Sequence, residues 1–152
     1  MNSQTNKMII YTDGGCTGNP GPGGWAAVLL KNEEEIRLSG GDTSTTNNKM
    51  ELTAVIRALE FILTQNWERG PIEIHTDSQY VQKGITQWIE GWIRKGWVTA
   101  AKKPVKNKEL WQVLKGLDDE LHPSWHWVKG HAGNEYNELC DQLVAKERLK
   151  FN

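Results

Sequence analysis

The chain has few cysteines, no long apolar run and almost no net charge. Its 152 residues include two cysteines, Cys16 and Cys140, which are too few for a disulfide framework. Their spacing does not fit a zinc site either, so we expect free thiols. No segment approaches the roughly 18 apolar residues of a membrane span, and the polar N-terminus has no signal-peptide core. We therefore expect a soluble, cytoplasmic protein with no membrane partner.

The composition is that of one globular domain. The hydrophobic fraction is 38% and the charged fraction 24%, which suits a chain of this length with a sizeable core. The sequence has no linker, repeat or low-complexity segment. We expect a single domain over residues 8–149, a flexible tail over 1–7, a short tail over 150–152, and a monomer.

The net charge of −1 argues weakly against a polyanionic partner, but the charges are unevenly distributed. One segment, residues 83–106, carries a single acid, Glu90, and is otherwise basic through Lys83, Arg94, Lys95, Lys102, Lys103 and Lys106. It also contains Trp88, Trp92 and Trp97. These tryptophans fit core packing, and they fit equally a nucleic-acid surface where lysines neutralise phosphates and an indole packs on sugar or base.

Apolar patterning predicts nine elements in the order β-β-β-α-β-α-α-β-α. The strands fall at 8–13, 24–30, 34–39, 71–76 and 124–128, and the helices at 50–63, 79–94, 107–121 and 134–149. An antiparallel meander followed by helix-connected parallel strands predicts an α/β fold. Its five-stranded mixed sheet should carry helices on both faces.

A glycine-rich stretch, residues 14–24, separates the first two predicted strands. It lacks the Lys-Ser/Thr of a phosphate-binding loop and no helix follows it, which argues against nucleotide binding. We expect a wide turn that lets the backbone approach a ligand.

Acidic residues follow two of the predicted strands. Asp13 and Asp77 each close an Ile-x-Thr-Asp segment, so parallel neighbours would bring both carboxylates to one sheet edge. Glu51 lies on the core-facing margin of the first helix. Singly, either aspartate fits a turn cap; together with Glu51 they favour a divalent cation such as Mg²⁺. Asp141, on the last helix, fits a solvated position as well as a ligand position.

His131 lies in a loop between glycines after the last strand. An imidazole there can transfer a proton beside a metal site, and it can equally be an ordinary surface histidine.

Four segments together resemble bacterial type 1 ribonuclease H over about residues 8 to 146. They are Tyr11-Thr12-Asp13-Gly14-Gly15-Cys16, Thr46-Asn47-Asn48-Lys49-Met50-Glu51, Thr76-Asp77-Ser78-Gln79-Tyr80 and Val128-Lys129-Gly130-His131-Ala132-Gly133. The resemblance implies a ribonuclease H-like three-layer fold. It also implies endonucleolytic hydrolysis of the RNA strand of RNA–DNA hybrids, leaving 3′-hydroxyl and 5′-phosphate ends.

The resemblance further implies roles for the acids and the histidine. Two Mg²⁺ or Mn²⁺ ions would be held by Asp13, Glu51, Asp77 and Asp141. One ion would lower the pKa of the attacking water and the other would stabilise the leaving 3′ oxygen. His131 matches a histidine assigned to proton transfer or product release.

Substrate contacts are implied in the same way. The residues that match readers of the RNA minor groove and its 2′-hydroxyls are Cys16, Asn19, Asn47, Asn48 and Gln79. Thr46 and Asn107 match a pocket for a DNA-strand phosphate, and Trp92 matches an indole that packs on deoxyribose. The basic protrusion, residues 88–106, would grip the hybrid through Trp88, Arg94, Lys95, Lys102, Lys103 and Lys106.

Two other classes remain open. A DNA-processing nuclease or transposase of the same fold would use similar acids without needing 2′-hydroxyl readers. A non-catalytic hybrid-binding protein would keep the basic segment and lack a complete acidic set.

Overall fold

A computed structural model describes residues 7–65, 70–129 and 134–151. The strands within these ranges are β1 Met8–Cys16, β2 Gly21–Lys31, β3 Glu34–Thr45, β4 Ile72–Thr76 and β5 Ser124–Trp127. The helices are α1 Asn47–Thr64, α2 Gln79–Lys83, α3 Ile89–Arg94, α4 Lys108–Leu121 and α5 Glu135–Leu149. A π-helical turn, Gly84–Trp88, joins α2 to α3.

The strands form one mixed sheet in the order β3-β2-β1-β4-β5. β1 pairs antiparallel with β2, and β2 antiparallel with β3, as a meander. β4 pairs parallel with β1 and β5 pairs parallel with β4. The predicted five-stranded mixed sheet is confirmed.

Helices cover both faces of the sheet, which explains the unbroken apolar run in β2. Ala27 and Leu29 join the larger core with α1 and α4, whereas Ala26 and Val28 join a smaller core with α5. A strand buried on both faces needs apolar residues at every position rather than at alternate ones. None of the described helices is both long and apolar enough to cross a membrane.

The first two strands are longer than predicted, and the predicted wide turn over 14–24 is wrong. Gly14, Gly15 and Cys16 continue β1 and pair with Trp25, Gly24 and Gly23 of β2. Only residues 17–20 separate the two strands. Glycine is usually unfavourable in strands, but here it permits close approach of neighbouring segments, so composition alone predicted a loop.

The segment predicted as one helix over 79–94 is helical but contains the π turn. Gly84 begins this turn against the fully buried Trp111, and a Cβ there would lie 2.6 Å from Trp111 Cζ2. Lys115 of α4 then contacts Glu90 of α3 and Asp119 of its own helix, both at 2.9 Å. The start of the basic protrusion is thus held against α4.

Candidate active site

Strand register places two aspartates side by side. Thr12 pairs with Thr76 as the last parallel pair between β1 and β4. Asp13 and Asp77 each follow immediately, so both side chains emerge at the carboxyl edge of β4. Asp13 was predicted to end the first strand, but β1 continues beyond it to Cys16, and Asp13 instead follows the last parallel pair with β4.

Glu51 reaches this edge because α1 packs directly on β1 at Gly14. A Cβ at Gly14 would lie 2.5 Å from the Glu51 nitrogen and 2.6 Å from the Met50 carbonyl oxygen. No side chain fits in that space, since real Cβ atoms essentially never come so close. A glycine inside a strand can mark such an approach. Gly14 was predicted to lie in a turn, so this role was missed.

The three carboxylates form one compact group. One oxygen each from Asp13, Glu51 and Asp77 lies within 4.8 Å of the others. Asp13 is only 8% exposed. Oε1 of Glu51 is buried and has no hydrogen-bond partner among the described residues. A buried carboxylate oxygen without a donor is costly unless something positive binds it.

Burial and mutual repulsion shift the pKa values in the same direction. Burial, and then the charge of Asp77, raises the pKa of Asp13 from 3.8 to about 7. Burial, followed by the charges of Asp13 and Asp77, also raises the pKa of Glu51 well above its ordinary value. The backbone of Gly14 opposes the shift at both residues by hydrogen bonding.

This donor set fits a hard divalent cation. Mg²⁺ prefers oxygen ligands and binds through a few carboxylates with substrate phosphate completing the shell. Asp13, Glu51 and Asp77 supply such oxygens, and Glu51 Oε1 lacks any other described partner. Asp141 lies outside this group of three, on the exposed side of α5, yet close enough to contribute to the raised pKa of Asp13.

Further side chains support the acidic edge, and the sequence did not single them out for this. Trp127 donates from Nε1 to the carbonyl oxygen of Asp77 at 3.1 Å. Ser78 accepts from the Val81 backbone at 3.1 Å and caps α2 just after Asp77. Cys140 lies beneath the cluster, where burial raises the pKa of its thiol to about 12. It is a free thiol, as is Cys16, which confirms that prediction.

Three predicted RNA-reading residues hydrogen bond to one another. The Cys16 backbone donates to Asn47 Oδ1 at 2.8 Å, and the Asn47 backbone donates to Asn19 Oδ1 at 3.2 Å. We call these the Cys16–Asn19–Asn47 network. It ties the end of β1 and the 17–20 turn to the first residue of α1. The other two predicted readers, Asn48 and Gln79, are exposed in the first turns of α1 and α2.

The two predicted phosphate-pocket residues are both at helix starts. Thr46 caps α1, accepting from the Lys49 backbone at 3.2 Å. Asn107 precedes α4 with a positive φ of 61° and donates from its side chain to Tyr80 Oη at 3.2 Å. Trp111 Nε1 donates to the same oxygen at 3.0 Å. Tyr80 therefore fixes the Asn107 side chain to the aromatic core.

The tryptophans of the basic protrusion divide between core and surface. Trp92 and Trp97 pack against the larger core, whereas Trp88 is 39% exposed. Ring centroids of Trp88 and Trp92 are 6.0 Å apart. Five cations of the protrusion are exposed, and no ion pair between described residues involves them: Arg94, Lys95, Lys102, Lys103 and Lys106.

His131 lies outside the described residues, so its predicted role stays a prediction.

A mixed sheet with carboxylates clustered at one edge, in a chain that also carries an exposed indole and exposed cations without ion pairs among the described residues, fits a metal-dependent nuclease. The profile of the RNase H family matches residues 5–148. The chain belongs to the RNase H family. This makes it a hydrolytic endoribonuclease and confirms the predicted family.

Known proteins agree in sequence and in fold. Ribonuclease H of Phenylobacterium zucineum is 55% identical, covering 93% of this chain and 90% of the relative. The crystal structure of LC9-RNase H1, a type 1 RNase H, superposes with a TM-score of 0.84 at 28% identity, covering 100% of this chain and 76% of that one. The crystal structure of LC11-RNase H1 in complex with RNA/DNA hybrid superposes with a TM-score of 0.68 at 30% identity. The match covers 94% of this chain and 97% of that one. The ribonuclease H-like fold is confirmed.

Proposed function

We propose that this protein hydrolyses the RNA strand of RNA–DNA hybrids with two divalent cations, and leaves 3′-hydroxyl and 5′-phosphate ends. The observation that carries this is the compact group of Asp13, Glu51 and Asp77 in a chain of the RNase H family. A similar structure, LC11-RNase H1, is itself in complex with an RNA/DNA hybrid.

The residues have distinct parts in this reaction. Asp13, Glu51 and Asp77, joined by Asp141 from α5, would hold the cations beside the scissile phosphate. Mg²⁺, with Mn²⁺ as its substitute, would activate the attacking water and stabilise charge on the leaving oxygen. The preformed carboxylate group means that little rearrangement is needed for a cation to bind.

Selection of the RNA strand rests on the 2′-hydroxyl. The Cys16–Asn19–Asn47 network, together with Asn48 and Gln79, presents polar groups beside the acidic edge. A 2′-hydroxyl both donates and accepts hydrogen bonds, whereas the 2′ carbon of a deoxyribose does neither. We assign the DNA strand to Thr46, Asn107 and the basic protrusion, including Trp92.

The deciding experiment compares labelled RNA–DNA hybrid, duplex RNA and duplex DNA, each with Mg²⁺, with Mn²⁺ and with chelator. We expect cleavage of the RNA strand of the hybrid alone, and only with metal. Cleavage of duplex DNA would instead support a DNA-processing nuclease. Tight hybrid binding with no cleavage under any condition would support a binding protein.

His131 is proposed for proton transfer or product release beside the cations. A positioned imidazole contributes about 10² to 10⁴ in rate, so His131→Ala should lower turnover within that range while leaving hybrid binding nearly unchanged. A rate equal to that of the unmodified protein between about pH 6 and 9 would remove His131 from the reaction. We also propose that the protein acts as a cytoplasmic monomer.

A further inference from the structure

Arg148, near the end of α5, points toward the acidic edge. A Cβ at Gly15 would lie 3.9 Å from Arg148 Nη1 and 3.8 Å from Asn47 Oδ1. Both atoms thus border the same open space over β1. Gly15 is two residues beyond Asp13, and alternate strand residues share a face, so this space adjoins the acidic cluster.

The backbone of Arg148 is firmly placed. α5 lies so close to β2 that a Cβ at Gly24 would come within 2.8 Å of Glu147 Cβ and 3.4 Å of the Arg148 nitrogen. The absence of a side chain at Gly24 therefore sets how near this last turn of α5 approaches the sheet.

The guanidinium makes no hydrogen bond or ion pair with another described residue. Its neighbour Glu147 is buried and already paired, with Lys150 at 2.7 Å and with Ser39 at 3.4 Å. No ion pair or side-chain hydrogen bond within the described ranges uses Arg148. A half-buried guanidinium left unpaired offers a fork of donors that matches a phosphate.

We propose that Arg148 is a substrate-positioning residue that binds a backbone phosphate of the RNA strand next to the Cys16–Asn19–Asn47 network. This rests on the proposed function. The RNA strand is favoured over the DNA strand because Asn47, a predicted 2′-hydroxyl reader, borders the same space as Arg148 Nη1. Arg148 acts on binding and register, and the acids carry out the reaction.

A second account would make Arg148 a counter-charge for the acids. Replacing Arg148 would then change the concentration of cation that the protein requires and leave its affinity for the substrate unchanged. The two accounts differ in which measured quantity moves.

The test compares Arg148→Ala, Arg148→Lys and the control Lys146→Ala. Lys146 has the same charge and lies on the same helix. It is two residues before Arg148, so its side chain points about 200° away around the helix axis. We expect Arg148→Ala to raise KM for hybrid about tenfold with little change in kcat, as expected for a hydrogen bond to a charged group. The slope of log KM against log salt should flatten by about 0.9. This is the change expected for the loss of one phosphate contact in duplex DNA. Arg148→Lys should keep the slope and recover only part of the affinity, and Lys146→Ala should match the unmodified protein.

Single uncharged methylphosphonates along each strand would locate the contact. At one RNA position the modification should weaken binding by the unmodified protein and have no effect on Arg148→Ala. The same pattern of effects at a position in the DNA strand, and at none in the RNA strand, would overturn the proposal. So would KM and salt slope equal to those of Lys146→Ala, or a change confined to the Mg²⁺ dependence.

Melting temperature separates these outcomes from misfolding, and if Arg148→Ala does not fold, Arg148→Gln takes its place under the same criteria. The unmodified protein measured in parallel tests the proposed function separately. If it fails to cleave hybrid, the proposed function fails; if it cleaves and Arg148→Ala equals it, only the role of Arg148 fails.

Discussion

At the scale of single residues, the carboxylates that would bind a cation destabilise the folded protein when no cation is bound. Asp13 has an ordinary pKa of 3.8 in the unfolded chain, and its pKa is about 7 in the folded protein. Between these values the folded protein binds a proton that the unfolded chain has released. The free energy of unfolding therefore falls as pH rises from about 4 to about 7, and the whole penalty is present above about pH 7.

Asp13→Asn should thus be inactive and more stable. An amide cannot balance a cation, but it has nearly the same shape and cannot ionise. In chelator at about pH 8 we expect the free energy of unfolding to exceed that of the unmodified protein by up to about 4 kcal/mol, taking about 1.4 kcal/mol per pKa unit. Denaturant melts at several pH values measure this, and the gain should vanish near pH 4.

Asp42→Asn is the matched control for that substitution. Asp42 is exposed, and its Oδ1 accepts from the Ser44 backbone at 3.0 Å, a bond that asparagine can keep. Its effect on the free energy of unfolding should be small. Equal pH profiles for Asp13→Asn and Asp42→Asn would show that burial of the Asp13 charge and its repulsion by Asp77 are not a stability cost.

Gly14 should tolerate no side chain. Gly14→Ala places a Cβ against the Met50 and Glu51 backbone, so α1 must shift away from β1. We expect a loss of about 2 kcal/mol or more in stability and a large loss of activity, as for other overpacked sites. Gly116→Ala is the comparison, because nothing lies within 4 Å of its Cβ position in α4. Removing a helical glycine there should stabilise by about 0.5–1 kcal/mol.

At the scale of elements, the basic protrusion should contribute affinity. Replacing the exposed Lys95, Lys102 and Lys103 together with alanine should raise KM much more than it lowers kcat. If each lysine neutralises one phosphate, the slope of log affinity against log salt flattens by about 2.7 in total. Titrations of hybrid at several salt concentrations measure the slope. An unchanged slope would mean that these lysines only solvate the surface.

The sequence predicted the elements well where periodicity was strong. The stripe in α1 and the alternation in β4 gave the right element types, and the two Ile-x-Thr-Asp segments gave the parallel register of β1 and β4. The glycine-rich hairpin was misread because glycine composition resembles a loop. Its pairing depends on segments distant in the sequence, such as α1 over Gly14 and α5 over Gly24.

At the scale of the whole molecule, the site depends on three layers meeting at one edge. β1 and β4 carry Asp13 and Asp77, α1 brings Glu51 from one face, and α5 carries Asp141, the proposed fourth ligand, on the other. Sequence could place the carboxylates on the correct elements. It could not indicate Trp127 beneath Asp77 or Arg148 over Gly15, because those contacts follow from helix and strand packing with no local pattern.

A bound cation should stabilise the whole fold. Mg²⁺ at about 100 times its Kd would add about 2.7 kcal/mol to the free energy of unfolding. This gain should shrink below about pH 7, since protons compete for Asp13. Thermal melts with and without Mg²⁺ test this, with Asp13→Asn as the variant that should respond weakly. A Mg²⁺ effect of the same size in both proteins would place the binding elsewhere.

The π turn between α2 and α3 has a consequence for the direction of the substrate surface. Its hydrogen bonds run to the fifth residue rather than the fourth, as from the Ile89 nitrogen to the Gly84 oxygen. Because each residue of an α-helix advances about 100° around the axis, this turn offsets the angular phase of everything that follows it. Because the turn holds one residue more than an α-helical turn, a one-residue deletion within 84–88 that restored regular α-helix would keep Trp92 and Arg94 near their present azimuth. Conversion of the turn to regular α-helix without a deletion would instead rotate them by about 100°. The π turn therefore sets the rotation of the following residues about the helix axis, whichever side chains the protrusion carries.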